Sequence, residues 1–255
     1  MRTNTIGAAQ RWEPRSLSGR SLAEGEVHVW RAGLNVSDHA LRRFRETLAE
    51  DEIARADRFR FSHLRRRFVT GRGILRTILA GYLSIEPERV PFSYSSHGKP
   101  SVAEPHCNIK FNVSHSHDLM VAAICQEWSI GVDIEKEDPH FQAIDIAEKF
   151  FCERERHEIA RKHTEEALRA FFQLWTAKEA VLKATALGLT LELSKLEIGL
   201  TPLRILAFED SGEIPRLSWH LTAFSPCDGY SGAIAVAAEP SRFEYRDLLL
   251  SDNFE

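Results

Sequence analysis

The chain has 255 residues, 43% of them hydrophobic and 27% charged, with a formal net charge of −4 at pH 7. That is long enough for one large domain or two small ones, and the wrong sign for a general nucleic-acid binder. No stretch approaches the roughly 18 apolar residues of a membrane span, and the first ten residues lack the apolar core of a signal peptide.

Residues 1–24, with Pro14 and several Ser and Gly, read as a loose arm. The alternation of Val27, Val29 and Arg31 predicts a strand over 26–32. A short helix over 49–58 precedes a longer one over 64–82, where Phe68, Leu75, Ile78, Leu79 and Leu83 recur at helical spacing. Strands are predicted over 90–94, 109–113 and 119–125. The last of these is expected to hairpin through 126–128 into a strand over 129–134. Helices over 153–163 and 166–187 follow, the second marked by Leu168, Phe171, Phe172, Trp175, Val181 and Leu182. Strands over 196–200, 216–225 and 231–237 complete the pattern. Residues 239–255 are polar and acidic and are expected only to cover the surface.

This order repeats. Glu52-Ile53-Ala54-Arg55 recurs as Glu158-Ile159-Ala160-Arg161, and the same displacement places Phe44 on Phe150 and Gly73 on Glu179. It also places Phe68-Val69-Thr70-Gly71-Arg72 on Leu174-Trp175-Thr176-Ala177-Lys178, and Arg89-Val90-Pro91-Phe92 on Lys195-Leu196-Glu197-Ile198. The expected fold is α+β: two similar α/β halves related by a pseudo-twofold, each a small, largely antiparallel sheet packed with a long helix. The halves are assigned to 1–130 and 131–240, with 241–255 as a C-terminal tail. Two copies are too few for a solenoid, and clefts form where such halves meet.

The chemistry concentrates in the second half. Asp133 and Glu135 stand two apart on a predicted strand and share a face. Glu179 and Lys183 stand four apart on a predicted helix and share a face there. Where strand and helix meet, three carboxylates and one ammonium converge. Three carboxylates repel one another unless a hard cation joins them, and oxygen-only ligation suits magnesium. A lysine beside them can contact phosphate oxygens or protonate a leaving group. Upstream, Gly98-Lys99-Pro100 reads as a tight turn bearing a lysine. Ser114, His115, Ser116 and His117 crowd one strand end, but neighbours on a strand face opposite ways, which excludes a Ser-His pair of hydrolase geometry. Cys107, Cys125, Cys152 and Cys227 have no Cys-x-x-Cys spacing, which gives no zinc signature and fits free thiols in a reducing cytosol.

These runs resemble, in composition and order, the 4′-phosphopantetheinyl transferases of the long monomeric, surfactin-type (Sfp-like) branch. The resemblance is carried by His97-Gly98-Lys99-Pro100, then Phe111-Asn112-Val113-Ser114-His115-Ser116, then Gly131-x-Asp133-x-Glu135. Phe150-Phe151, Trp175-x-x-Lys178-Glu179-x-x-x-Lys183 and Gly188-Leu189 complete it, over residues 50–240. It implies transfer of the phosphopantetheine arm of coenzyme A to a serine of an apo acyl or peptidyl carrier protein, with release of adenosine 3′,5′-bisphosphate. It implies Mg2+ held by Asp133, Glu135 and Glu179, with Asp133, Glu179 and Lys183 as catalytic residues. Coenzyme A would be held by Lys99, Pro100, Ser114, His115 and Lys183. Arg58, Arg67 and Arg55 would reach its bisphosphate. A cytoplasmic monomer acting on neither nucleic acid nor membrane is expected.

Eight arginines, at 55, 58, 60, 65, 66, 67, 72 and 76, crowd a segment with one acid, Asp57. They form either a solvated helix face or a surface for phosphates or an acidic protein. Two rival readings stand beside the resemblance. One is another magnesium-dependent phosphoryl or nucleotidyl transferase, against which the lack of a Gly-x-x-x-x-Gly-Lys-Ser/Thr loop counts. The other is a non-catalytic adaptor using the arginine cluster.

Overall fold

A computed structural model describes residues 10–15, 21–96, 98–106, 108–185, 192–208 and 219–250. His97, Cys107 and Gly188-Leu189 lie outside the described residues, as do 186–187 of the second long helix and 216–218 of the strand expected from 216. The elements run β1 (Glu13–Arg15), β2 (Glu26–Gly33), α1 (Asp38–Glu46), α2 (Glu50–Asp57), α3 (Ser62–Leu83), β3 (Phe92–Tyr94), β4 (Pro100–Val102), β5 (Ile109–Ser116), β6 (Leu119–Gln126) and β7 (Ile130–Lys136). They continue with α4 (Ala143–Phe150), α5 (Glu153–Ala160), α6 (Thr164–Thr185), β8 (Leu196–Leu200), β9 (Leu203–Phe208), β10 (His220–Phe224), β11 (Tyr230–Val236) and β12 (Arg242–Leu248).

Alternation along the strands sorts the side chains into layers. In the first half, Trp30, Phe111 and Ile124 pack under Phe44 of α1 and Ile74, Ile78 and Leu79 of α3. In the second, Ala233 and Ala235 of β11 pack under Phe171, Leu174 and Ala180 of α6. The opposite faces of the two sheets meet in a third core built from Val27, Val29, Val121, Ala123, Val132, Ile134 and Ile234. The halves are thus two sheet-and-long-helix units, with α3 and α6 as the long helices. Helix α1, not expected, starts where the Ser37 hydroxyl accepts the Ala40 amide, and it buries Ala40 and Phe44 four apart.

Two expectations give way. The hairpin from β6 to β7 does not form: β6 is enclosed between β2 and β5, and β7 pairs with β11. The segment after 241, expected only to cover the surface, supplies β12, an inner strand parallel to both β1 and β2. It holds that place because Phe243 and Tyr245 reach the inter-sheet core while Glu244 and Arg246 bond polar groups on the other side. The five-stranded sheet, in order β1-β12-β2-β6-β5, therefore mixes parallel with antiparallel pairs.

The repeat is present at a different register. Glu52 corresponds to Glu155 rather than Glu158, because each carboxylate accepts the amide that opens its short helix, Ala49 at 2.9 Å and Cys152 at 3.0 Å. Arg76 corresponds to Lys178, because each binds that same carboxylate, at 2.6 and 2.8 Å. Glu179 then matches Thr77, not Gly73. Gly73 has another reason to be glycine: a Cβ there would lie 2.5 Å from the Phe44 Cβ.

Candidate active site

Strand β7 turns Gly131, Asp133 and Glu135 toward α6. A Cβ on Gly131 would lie 2.0 Å from the Ala180 carbonyl oxygen and 2.5 Å from the Ala184 amide nitrogen, so only glycine lets strand and helix backbones come this close. That approach brings the two acidic runs together. The Lys183 ammonium lies 2.6 Å from Asp133 Oδ1 and donates to Ser114 Oγ at 3.1 Å. Lys183 therefore serves Asp133 across the interface rather than its helical neighbour Glu179. Asp133 is buried, and Glu135 and Glu179 are half-buried.

The three carboxyls feel one another. Burial pushes Asp133 up, against the pull of Lys183 and the Ser114 hydrogen bond. Burial pushes Glu135 and Glu179 up as well, and the Asp133 charge adds to each shift. Glu135 accepts from the Ser116 hydroxyl at 2.9 Å. Among the described residues, Glu179 accepts no hydrogen bond and buried Asp133 Oδ2 has no partner. Among the described residues, no three acid, imidazole or thiol groups are already gathered at ligating geometry. Yet an all-oxygen donor set, mutual repulsion and an orphaned buried oxygen fit a hard divalent cation.

The first half supplies the other side. Gly98, at φ +77, turns the chain so that the Ser95 and Lys99 backbones pair. Lys99 then sends its ammonium to the seam, donating to the carbonyls of Ile130, at 3.4 Å, and of Lys183. Burial lowers its pKa to about 8. Pro100 follows as the first residue of β4. Ser114 and His115 are not brought together: Ser114 is buried against β7, while His115 is exposed on the other face of β5. Arg67 pairs with Asp118 at 2.7 Å, and both lie within electrostatic reach of Tyr230, whose hydroxyl is 3.5 Å from the Ser116 carbonyl. Arg58 is exposed at the end of α2, and Arg55 lies 5.1 Å over the Phe68 ring.

The arginine cluster divides. Arg76 is buried against Glu52, and Arg72 lies between Glu52, at 3.5 Å, and the Phe92 ring. Arg66 pairs with Asp38. Arg58, Arg60 and Arg65 remain exposed. Sequence reasoning missed Asn112 and Ser116 as site residues, although polar Asn112, Ser114 and Ser116 alternating with Phe111 and Val113 were in plain view.

Comparison with known proteins gives the family. Residues 129–236 match the family model described as the 4′-phosphopantetheinyl transferase superfamily. Residues 33–127 match the one described as 4′-phosphopantetheinyl transferase, N-terminal. The chain is 39% identical over 228 residues to the 4′-phosphopantetheinyl transferase HetI of Nostoc sp. strain PCC 7120, covering 89% of this chain and 93% of that protein. It is 30% identical over 208 residues to 4′-phosphopantetheinyl transferase psf-1 of Bacillus pumilus, covering 80% and 84%. With 4′-phosphopantetheinyl transferase Sfp of Bacillus subtilis strain 168 it shares 28% identity over 159 residues, covering 62% and 69%.

Proposed function

The chain belongs to the 4′-phosphopantetheinyl transferase superfamily and is an enzyme of that family, and we propose that it moves the phosphopantetheine arm of coenzyme A onto a serine of an apo acyl or peptidyl carrier protein. In that reaction the serine oxygen bonds to the β-phosphorus of coenzyme A. The bond from that phosphorus to the oxygen bridging toward the α-phosphate breaks, and adenosine 3′,5′-bisphosphate leaves. The observation that carries the reading is the cluster of Asp133, Glu135, Glu179 and Lys183 at one seam, with the Asp133 Oδ2 oxygen partnerless among the described residues.

Asp133, Glu135 and Glu179 would hold Mg2+, which supplies charge neutralisation at the pyrophosphate when bound. Glu179 is the carboxylate best free to take the serine proton, since Asp133 and Glu135 are each held by a hydroxyl. Lys183 is placed to stabilise the departing α-phosphate. Lys99, Pro100, His115, Arg58 and Arg67 would grip the nucleotide end of coenzyme A; for Lys99 this requires leaving its two carbonyls. One chain contributes both sides of the site, so a second copy is not needed, and we place the enzyme as a cytoplasmic monomer. Among the described residues no helix is long and apolar enough to cross a membrane.

The test is turnover of coenzyme A by Asp133→Ala and Glu179→Ala, each checked for a folded state by circular dichroism. Both should lose transfer at ordinary magnesium. Full activity in both would sink the assignment.

A further inference from the structure

Strand β7 is an edge strand of its own sheet, in the order β10-β11-β7. An edge strand leaves every second amide unpaired. Here those amides are taken by side chains of the other half. Val132 N donates to Asn112 Oδ1 at 2.9 Å, Ile134 N to Ser114 Oγ at 3.3 Å, and Lys136 N to Ser116 Oγ at 3.1 Å. The two strands keep step residue for residue, since both have a period of two. Side-chain oxygens of β5 thus stand in for the carbonyls of a neighbouring strand.

The middle rung does more. The Ser114 hydroxyl donates to Asp133 Oδ1 at 2.8 Å and accepts from Ile134 N and from the Lys183 ammonium. One donor and two acceptor sites are all that a serine hydroxyl has. It has no proton left for a phosphate oxygen, whereas His115 on the opposite face is exposed. We infer that Asn112, Ser114 and Ser116 form a positioning ladder that registers the acidic strand of the second half against the first, and that Ser114 passes this register to Asp133 and Lys183 instead of gripping coenzyme A. The catalytic consequence rests on the transferase reading; the ladder itself does not.

Ser114→Ala separates the two. Its loss of one acceptor should speed hydrogen exchange of the Ile134 amide about tenfold, by the net worth of one hydrogen bond. Misplacement of Asp133 and Lys183 should lower kcat by up to about 100-fold, while the KM for coenzyme A stays within about twofold. The deficit should be the same with dephospho-coenzyme A, and Ser114→Thr, which keeps the hydroxyl, should recover most of it. A raised KM that disappears with dephospho-coenzyme A would overturn the inference and return Ser114 to the phosphate. Unchanged Ile134 exchange would overturn the ladder. Should Ser114→Ala not fold, Asn112→Ala carries the test, because Asn112 touches neither acid nor Lys183: the Val132 amide must exchange faster, and if it does not, the ladder is wrong. If the wild-type protein loads no carrier, the transferase reading fails while the exchange result still decides the ladder.

Discussion

Arg76 and Lys178 hold equivalent places in the two halves. Each is a buried cation of a long helix, bonded to the carboxylate that opens the preceding short helix. Each also caps the 3-10 turn that follows its helix: Arg76 donates to the carbonyls of Pro87, Glu88 and Val90 at 3.0, 3.3 and 3.1 Å, and Lys178 to those of Leu193, at 2.8 Å, and Leu196. In the run Lys178-Glu179-x-x-x-Lys183, the first lysine therefore holds the fold and the other two residues lie at the seam with Asp133. Removing one partner of a buried pair strands the other charge, at about 3–5 kcal/mol. Arg76→Met and Lys178→Met should each lower stability by that amount in urea unfolding. A loss below about 1 kcal/mol in either, the ordinary range of a surface pair, would show that the pair does not hold its half together.

Gly131 sets the distance between β7 and α6. The backbone atoms that a Cβ would meet, at 2.0 and 2.5 Å, cannot rotate away. Gly131→Ala should cost about 1–3 kcal/mol as an overpacking change and lower kcat by about 100-fold for each ångström by which Glu179 and Lys183 move off Asp133. Unfolding midpoint and kcat, measured on the same preparation, check it. An unchanged pair of values would mean that the strand-to-helix approach is looser than described.

Periodicity made the long helices and most strands legible, and spacing alone gave the shared face of Asp133 and Glu135. What was lost has physical causes. The repeat was read from Glu-Ile-Ala-Arg, whose second copy contains Glu158 rather than the capping Glu155; a surface identity outweighed a buried function, because burial is not written in the residue type. Strand β12 looked like a polar tail because Glu244 and Arg246 are charged, yet Phe243 and Tyr245 alternate with them as a half-buried strand requires. Lys183 was placed beside Glu179 because helical spacing is local information. Its bond to Asp133 depends on how closely β7 and α6 approach, which only the packing at Gly131 decides.

His28 gives the fold an acid limit. It is fully buried, 2.7 Å from the Tyr82 hydroxyl and 3.0 Å from the Arg246 guanidinium, with Glu26 at 3.3 Å and Glu244 at 3.7 Å. Burial, then Arg246, lower its pKa from 6.5 to about 4, against the pull of the two glutamates. The unfolded chain binds this proton more tightly than the folded one, so stability falls as pH drops from 6.5 toward 4 and the effect is complete below that. The loss approaches about 3 kcal/mol. His28→Gln should flatten this part of the pH profile of urea unfolding; an identical slope in wild type and variant would contradict the assignment.

Arg65 is exposed, whereas Arg72 is held by Glu52 and Phe92. If an acidic carrier is steered by the exposed arginines, Arg65→Glu should raise the carrier KM at low salt. The effect should shrink as the screening length shortens toward about 8 Å at physiological ionic strength. Arg72→Glu should instead destabilise the fold. Steady-state kinetics at two salt concentrations distinguish them; a carrier KM unaffected by Arg65→Glu at low salt would place docking elsewhere.

Transfer itself is read by incubating the protein with coenzyme A, Mg2+ and a panel of apo acyl and peptidyl carrier proteins, and weighing each carrier by intact mass. At least one carrier should gain the mass of a single phosphopantetheine arm, a carrier with its target serine changed to alanine should gain nothing, and Glu179→Ala should transfer none. No mass gain on any carrier that a known transferase modifies under the same conditions would contradict the transferase reading.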